Sequence, residues 1–250
     1  MKSNPFFYRQ IHSIGSHLPF THLKRNVRRY LIRKYSGQFR DTGKGFSMCV
    51  DDMDTMDLLS GNPYEPAVTE FFEANIKNDD IALDLGANDG YYSLLFASKC
   101  TQTHSFEPDE YNYRILCKNI KENTQLRGTI IPVSKAVSNK IGKARMHIEL
   151  DHRGANAITE NGDEVIETTT LDAYFNGKKF PTIIKMDVEG HEKFAIEGGM
   201  EIFKSARLIV LEARPQEGGR NSAAIKMLES MGFGIHQIDE INFYADRGHG

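Results

Sequence analysis

The sequence predicts an α/β fold, a mostly parallel sheet with helices on both faces. Two observations carry this. From residue 81 onward, short apolar runs alternate with helical patterns, the rhythm of consecutive β–α–β units. The turns after these runs carry Gly86, Glu107, Asp187 and Glu212, so polar groups gather at one end of the strands. Open α/β sheets bind ligands outside the carboxyl ends of their strands. At 250 residues and 40% hydrophobic content, the chain can build one such core, with a small appendage.

The appendage comes first. Of the 31 Lys and Arg, nine fall in residues 1–40, where there is no Asp or Glu, so the rest of the chain is acidic. We divide the chain into a basic N-terminal segment, 1–45, and a main domain, 46–250. Residues 22–35 read as a basic helix with Leu23, Val27, Tyr30 and Leu31 on one side. Three uses stay open: packing on the domain, peripheral contact with an anionic membrane surface, or nucleic-acid binding. The acidic main domain makes nucleic acid an unlikely partner. No apolar run is long enough to span a bilayer, and no secretory h-region is visible. Cys49, Cys100 and Cys117 lack metal-ligand spacing and read as reduced thiols, which together predict a cytoplasmic location.

The main domain then unfolds in order. Ile81–Leu85 reads as a strand, Gly86–Gly90 as a tight turn and Tyr91–Ala97 as a helix. Thr103–Phe106 is a second strand, and Asp109–Asn123 a helix with Tyr113, Leu116, Cys117 and Ile120 on one face. Thr129–Val133 is a β-branched strand followed by the loop Ser134–Ser138. Lys143–Leu150 and Glu164–Leu171 alternate like strands of a β-hairpin insertion, whose Arg153 and Asn156 would overhang an acceptor. Thr182–Met186 and Leu208–Leu211 are apolar strands. Ser222–Met231 is helical, stopped by Gly232, and Phe233–Ile238 and Ile241–Ala245 complete the sheet.

The glycine turn holds the first chemistry. Gly86 and Gly90 allow a ligand close to the backbone, and the helix start after them would present unpaired N–H groups. The dinucleotide fingerprint G-x-G-x-x-G fails, because Asn88 stands where the middle glycine would. Asp84 disfavours phosphate and suits a cation. S-adenosylmethionine carries a sulfonium and an ammonium and no phosphate. Glu107 lies roughly 20 residues past the turn, at a strand tip, where a carboxylate accepts ribose hydroxyls. Ala136 in the Ser134–Ser138 loop would flank the adenine.

The run Lys185-Met186-Asp187-Val188-Glu189-Gly190-His191-Glu192 holds the second. Asp187 and Glu189 are two apart and would share a side if both extend the strand. His191 would open a helix, whose dipole keeps an imidazole neutral and able to accept a proton. Asp187 would act as base or hold the cofactor's ammonium, and Lys185 pairs with a carboxylate. Glu189 and Glu192 are alternatively plain first-turn carboxylates. Asp187, Glu189 and Glu212 could instead hold Mg²⁺, although we assign no metal.

Tyr64-Glu65-Pro66, Asp84-Leu85-Gly86-Ala87-Asn88-Asp89-Gly90-Tyr91-Tyr92, Phe106-Glu107-Pro108, Ala136-Val137-Ser138, Thr170-Leu171-Asp172 and the Lys185–Glu192 run occur in that order. This pattern, over roughly residues 50 to 245, resembles the FkbM family of S-adenosylmethionine-dependent methyltransferases. The resemblance implies a Rossmann-like class I methyltransferase sheet with a final antiparallel strand. It implies O-methylation of a sugar, glycan-precursor or secondary-metabolite hydroxyl. It also implies that Glu65 closes the methionine end of the pocket, beside Asp84, Gly86, Ala87, Asn88, Gly90, Glu107, Ala136 and Asp187 as cofactor-binding residues. Asp187, Glu189 and His191 are the catalytic candidates. N-methylation on the same fold and a non-catalytic nucleoside-binding module are the alternatives.

Overall fold

The fold is that of a computed structural model, which describes residues 34, 36–49, 64–126, 128–149 and 153–248. Apart from Lys34, the basic segment at 22–35 lies outside the described residues. Strands β1 (Phe39–Asp41) and β2 (Ser47–Cys49) form an antiparallel hairpin that straddles residue 45 and buries Phe46, Met48 and Cys49. Helix α1 (Pro66–Asn75) leads into β3 (Ile81–Leu85), α2 (Tyr91–Ala97), β4 (Gln102–Phe106), α3 (Glu110–Glu122) and β5 (Thr129–Val133). An excursion of β6 (Ala136–Val137), β7 (Gly142–His147), β8 (Ala157–Ile158) and β9 (Glu164–Thr169) follows. The chain resumes with α4 (Leu171–Tyr174), β10 (Ile183–Met186), α5 (Glu192–Glu197), α6 (Met200–Ser205) and β11 (Leu208–Glu212). It ends with α7 (Ala223–Ser230), β12 (Gly234–Gln237) and β13 (Asn242–Asp246).

Seven strands form the main sheet in the order β12-β13-β11-β10-β3-β4-β5. The pairs among β11, β10, β3, β4 and β5 are parallel, and β13 runs antiparallel to both its neighbours. This is the sheet the sequence predicts, with its antiparallel final strand. The excursion is larger than the predicted hairpin. β7 and β9 do pair antiparallel, but β6 and β8 flank them to make a four-stranded sheet in the order β6-β9-β7-β8. Both long strands also stop short of their expected ends. Thr170 leaves β9 to cap α4, its side chain accepting from the Ala173 amide.

Strand parity divides the core. Leu83, Leu85, Ile184, Met186, Ile209 and Leu211 pack on one face, under α4 to α7. Ala82, Ile183, Leu208 and Val210 face the other way, toward α1 and α2. Alternation of side chains along a strand therefore sends Asp84 and Lys185 to the α2 side, where they are register partners.

Helix α3 departs from its expected face. Asn112, Leu116 and Asn119 are its buried residues, and Tyr113, Cys117 and Ile120 are only partly covered. The reason is the hairpin it packs on, whose strand backbone needs partners. Asn119 Oδ1 accepts from the Cys49 amide (2.8 Å) and Asn123 Oδ1 from the Ser47 amide (2.8 Å). Asn119 Nδ2 donates to the Asp89 carbonyl (2.7 Å).

The Gly86 turn is closed by its contact with the end of β10. Gly86 has φ +78°, and a Cβ there would sit 1.8 Å from the Asp187 carbonyl oxygen. Gly86→Ala is expected to lower unfolding free energy by roughly 2–4 kcal/mol, from overpacking plus backbone strain. Gly190→Ala also strains a positive φ (+88°), but its Cβ meets nothing nearer than 3.8 Å, so about 1 kcal/mol is expected there. Denaturant titration of both variants checks this order.

Candidate active site

A cavity of about 310 Å³ opens at the carboxyl ends of the parallel strands. Its floor is the turn from Leu85 to Asp89. Its walls are Glu107, the Lys135–Val137 segment, Asp187 to Glu189 with His191, and Glu212 with Arg214. Tyr64, Glu65, Tyr91 and Tyr92 close one end, and Met146, Gly154, Asn156 and Ile158 of the excursion close another.

The amides of the turn itself are bonded within the protein. Gly86 and Ala87 both donate to the Phe106 carbonyl (3.1 and 2.9 Å), and the Gly90 amide donates to Ala87. The Asn88 amide donates to Glu107 Oε2 (2.8 Å), with Asn88 itself at φ +50°, a conformation asparagine tolerates. A phosphate would find these N–H groups occupied. Glu107 Oε1 accepts from the Asp109 amide (2.9 Å), so two backbone donors hold the carboxylate in place at the tip of β4. Burial pushes its pKa up to about 8.

Glu65, Gly86, Ala87, Asn88, Glu107, Ala136, Asp187, Glu189 and His191 all line the cavity. Asp84 and Gly90 do not. Parity puts Asp84 beneath the floor, where it is buried and its Oδ2 accepts from Ser93 Oγ (2.6 Å). Gly90 starts α2 at φ +95°, and a Cβ there would meet Leu116 Cδ1 at 2.5 Å, so packing explains that glycine.

Asp187 and Glu189 do not share a side. The strand ends at Met186 and Glu189 adopts φ +52°, so the extended backbone that the spacing argument needs is lost. Arg214 grips both Glu189 oxygens, its Nη2 lying 2.9 Å from Oε1, and its Nε also bonds Glu212. Burial pushes Glu212 up to about 7 and Glu65 upward. Asp187 Oδ2 lies 3.1 Å from Lys185 Nζ. Burial alone would lower the Lys185 pKa, but Asp187, Glu65 and Asp84 raise it. Tyr92 stacks against this ammonium, 4.9 Å from ring centre to Nζ, and donates to Glu65 Oε2 (2.7 Å).

His191 caps α5 and lines the cavity, its Nε2 3.0 Å from Ser138 Oγ and its ring 4.7 Å from that of Phe194. Its pKa is lowered by burial, which joins the dipole argument in favouring a neutral ring. Glu192 is structural: its buried Oε1 accepts from the Val188 and Gly190 amides (3.2 Å each) and holds the turn.

Tyr92 and Arg214 were not anticipated as site residues, nor were Met146 and Ile158. Arg214 had one signal, its place two residues after the strand-end Glu212. Met146 and Ile158 had none, because the excursion's pairing sets their place.

The fold is Rossmann-like, a parallel sheet closed by an antiparallel strand, with the cavity at its carboxyl edge. The profile of the Methyltransferase FkbM domain matches residues 84–239, and the chain belongs to that family. The hexuronic acid methyltransferase AglP of Haloferax volcanii is 24% identical over 139 residues, 54% of this chain and 56% of its own. The crystal structure of a methyltransferase FkbM from Methylobacillus flagellatus KT shares the fold at TM-score 0.50 and 14% identity. That match covers 90% of this chain and 60% of the other. A magnesium protoporphyrin IX methyltransferase from Synechocystis PCC 6803, solved with bound S-adenosylmethionine, superposes at TM-score 0.45 and 12% identity, covering 73% and 77%. The chain thus spans a little over half the length of the first of these proteins and three-fifths of the second. S-adenosylmethionine is the cofactor, and the cavity suits it: carboxylates line the walls and the turn amides are taken. Among the described residues no helix is long and apolar enough to cross a membrane.

Glu192 gives a pH test of the turn. Burial raises its folded pKa from 4.5 to about 7, so its contribution to stability is full below pH 4.5 and is lost as pH rises through 7. Glu192→Gln keeps an oxygen for both amides and removes the titration. It is expected to match wild type near pH 4 and to exceed it by roughly 1–3 kcal/mol above pH 8, measured by thermal unfolding across pH.

Proposed function

We propose that this methyltransferase acts on a hydroxyl of a sugar, glycan precursor or secondary metabolite, with His191 as general base. When bound, S-adenosylmethionine supplies an electrophilic methyl on a neutral leaving group. An alcohol becomes a competent nucleophile only as its proton is removed, so the protein's task is to accept that proton. His191 is the observation that carries the reading. Of the three catalytic candidates, Glu189 is clamped by Arg214 and Asp187 is paired with Lys185. His191 is in no ion pair with them, and burial favours its neutral form. Its bond to Ser138 Oγ orients the ring.

The cofactor roles follow the walls. Glu107 takes the ribose hydroxyls, Ala136 and Val137 flank the adenine, and Glu65 and Asp187 receive the ammonium. A sugar acceptor is supported by the relative whose name is hexuronic acid methyltransferase.

Calorimetry and product analysis test this together. S-adenosylhomocysteine is expected to bind wild type and to lose at least tenfold in affinity with Glu107→Ala, while NAD does not bind. Given a panel of sugar and uronic-acid acceptors, mass spectrometry should find an ether product. His191→Asn should cut kcat by about 10²–10⁴. Wild-type activity should fall as pH drops below the ordinary histidine range. Methylation of amines alone, or full activity in His191→Asn, would refute the reading.

A further inference from the structure

His191 is fastened from outside the cavity. Its Nε2 lies 3.0 Å from Ser138 Oγ, and its ring packs on that of Phe194. Ser138 is buried and is not among the residues that line the cavity. Its hydroxyl meets the site through the imidazole.

The chain around Ser138 fixes that hydroxyl. Ser138 follows directly on β6, and its amide donates to the Thr169 carbonyl (2.9 Å). Its own carbonyl lies against the end of α5, where a Cβ on Gly198 would meet the oxygen at 2.0 Å. The next residue, Asn139, donates from Nδ2 to Glu197 Oε2 (2.8 Å). The excursion and α5 are joined along this seam, with the serine hydroxyl and the imidazole at its inner end.

The seam decides which nitrogen can work, given the His191 base of the preceding reading, on which this inference rests. A neutral imidazole takes a proton on the nitrogen that carries no hydrogen. Nε2 is turned to Ser138, while Nδ1 has no hydrogen-bond partner among the described residues. A working base therefore keeps its hydrogen on Nε2, aimed at Ser138 Oγ, and offers the Nδ1 lone pair to the acceptor hydroxyl. As the methyl group moves, the electron pair of the broken carbon–sulfur bond stays on sulfur. The acceptor oxygen forms the new bond, and its proton passes to Nδ1. The imidazolium then donates from both nitrogens, in a place where burial disfavours the cation. Ser138 Oγ accepts from one of them, the task that a carboxylate performs in a Ser-His-Asp triad. We infer that Ser138 is a positioning residue that sets the tautomer of His191, holding its hydrogen on Nε2 so that Nδ1 takes the proton.

Nitrogen NMR of the imidazole rings in the full chain reads the tautomer with neither cofactor nor acceptor present. The His191 signals are those lost in His191→Asn. At a pH where the ring is neutral, wild type is expected to carry the hydrogen on Nε2, and Ser138→Ala to mix the two tautomers. In turnover of a sugar acceptor, Ser138→Ala should lower kcat by roughly 10- to 100-fold, the scale on which groups that orient a ligating histidine act. Its affinity for S-adenosylhomocysteine should not change. Ser138→Thr keeps the hydroxyl and should recover most of the rate, with both folds checked by circular dichroism. Adding Ser138→Ala to His191→Asn should cost nothing further. A hydrogen on Nδ1 in wild type, an unchanged kcat in Ser138→Ala, or the same loss in the His191→Asn background would each overturn the inference. Full activity of His191→Asn would remove the base reading itself, and the inference with it.

Discussion

The rest of the site depends on how closely the Gly86 backbone approaches the Asp187 carbonyl. The Asp187 amide donates to Leu85 (3.0 Å), so β3 and β10 stay paired to their last residues. Any side chain at 86 would force the two turns apart. Their contact sets the Gly86–Gly90 turn against the run that carries Asp187, Glu189 and His191. The glycine is therefore as much a spacer between two strands as an opening for a ligand.

Beneath that contact lies a pair of opposite charges side by side in the sheet. Asp84 and Lys185 are both buried and both point toward α2. Ser93 and Tyr92, successive residues of that helix, cover one each. The sheet thus spends its one buried lysine at the floor of the site, where Asp187 and Glu65 reach the same ammonium from above. The Arg214 clamp on Glu189 and Glu212 repeats the arrangement at the next strand.

Much of the fold was legible because its causes are local. Apolar runs bounded by glycine and acidic turns mark each parallel strand, and the resemblance supplies the antiparallel last one. The cavity's residues were legible wherever they stand at a strand tip, as Glu107, Asp187 and Glu212 do. Legibility stopped where tertiary geometry decides. Asp84 looks like a ligand contact until strand parity turns it away. Asp187 and Glu189 look like a matched pair until the backbone leaves the strand. The buried face of α3 is polar because a hairpin some 70 residues earlier in the chain needs hydrogen-bond partners, and helical periodicity cannot report that. The four-stranded excursion read as a hairpin because β6 and β8, two residues each, are too short to show alternation.

Asn119 joins two parts of the chain that would otherwise be strangers. Its oxygen holds the Cys49 amide and its nitrogen the Asp89 carbonyl, so one side chain rivets the hairpin to the floor of the active site. The family profile begins at residue 84, yet this rivet and Glu65 reach back before it. The structural unit around the cavity is in this sense wider than the stretch the profile matches. A graft of residues 84–239 onto another N-terminal segment would carry over most of the sheet and its acids, but would leave the asparagines of α3 facing no hairpin.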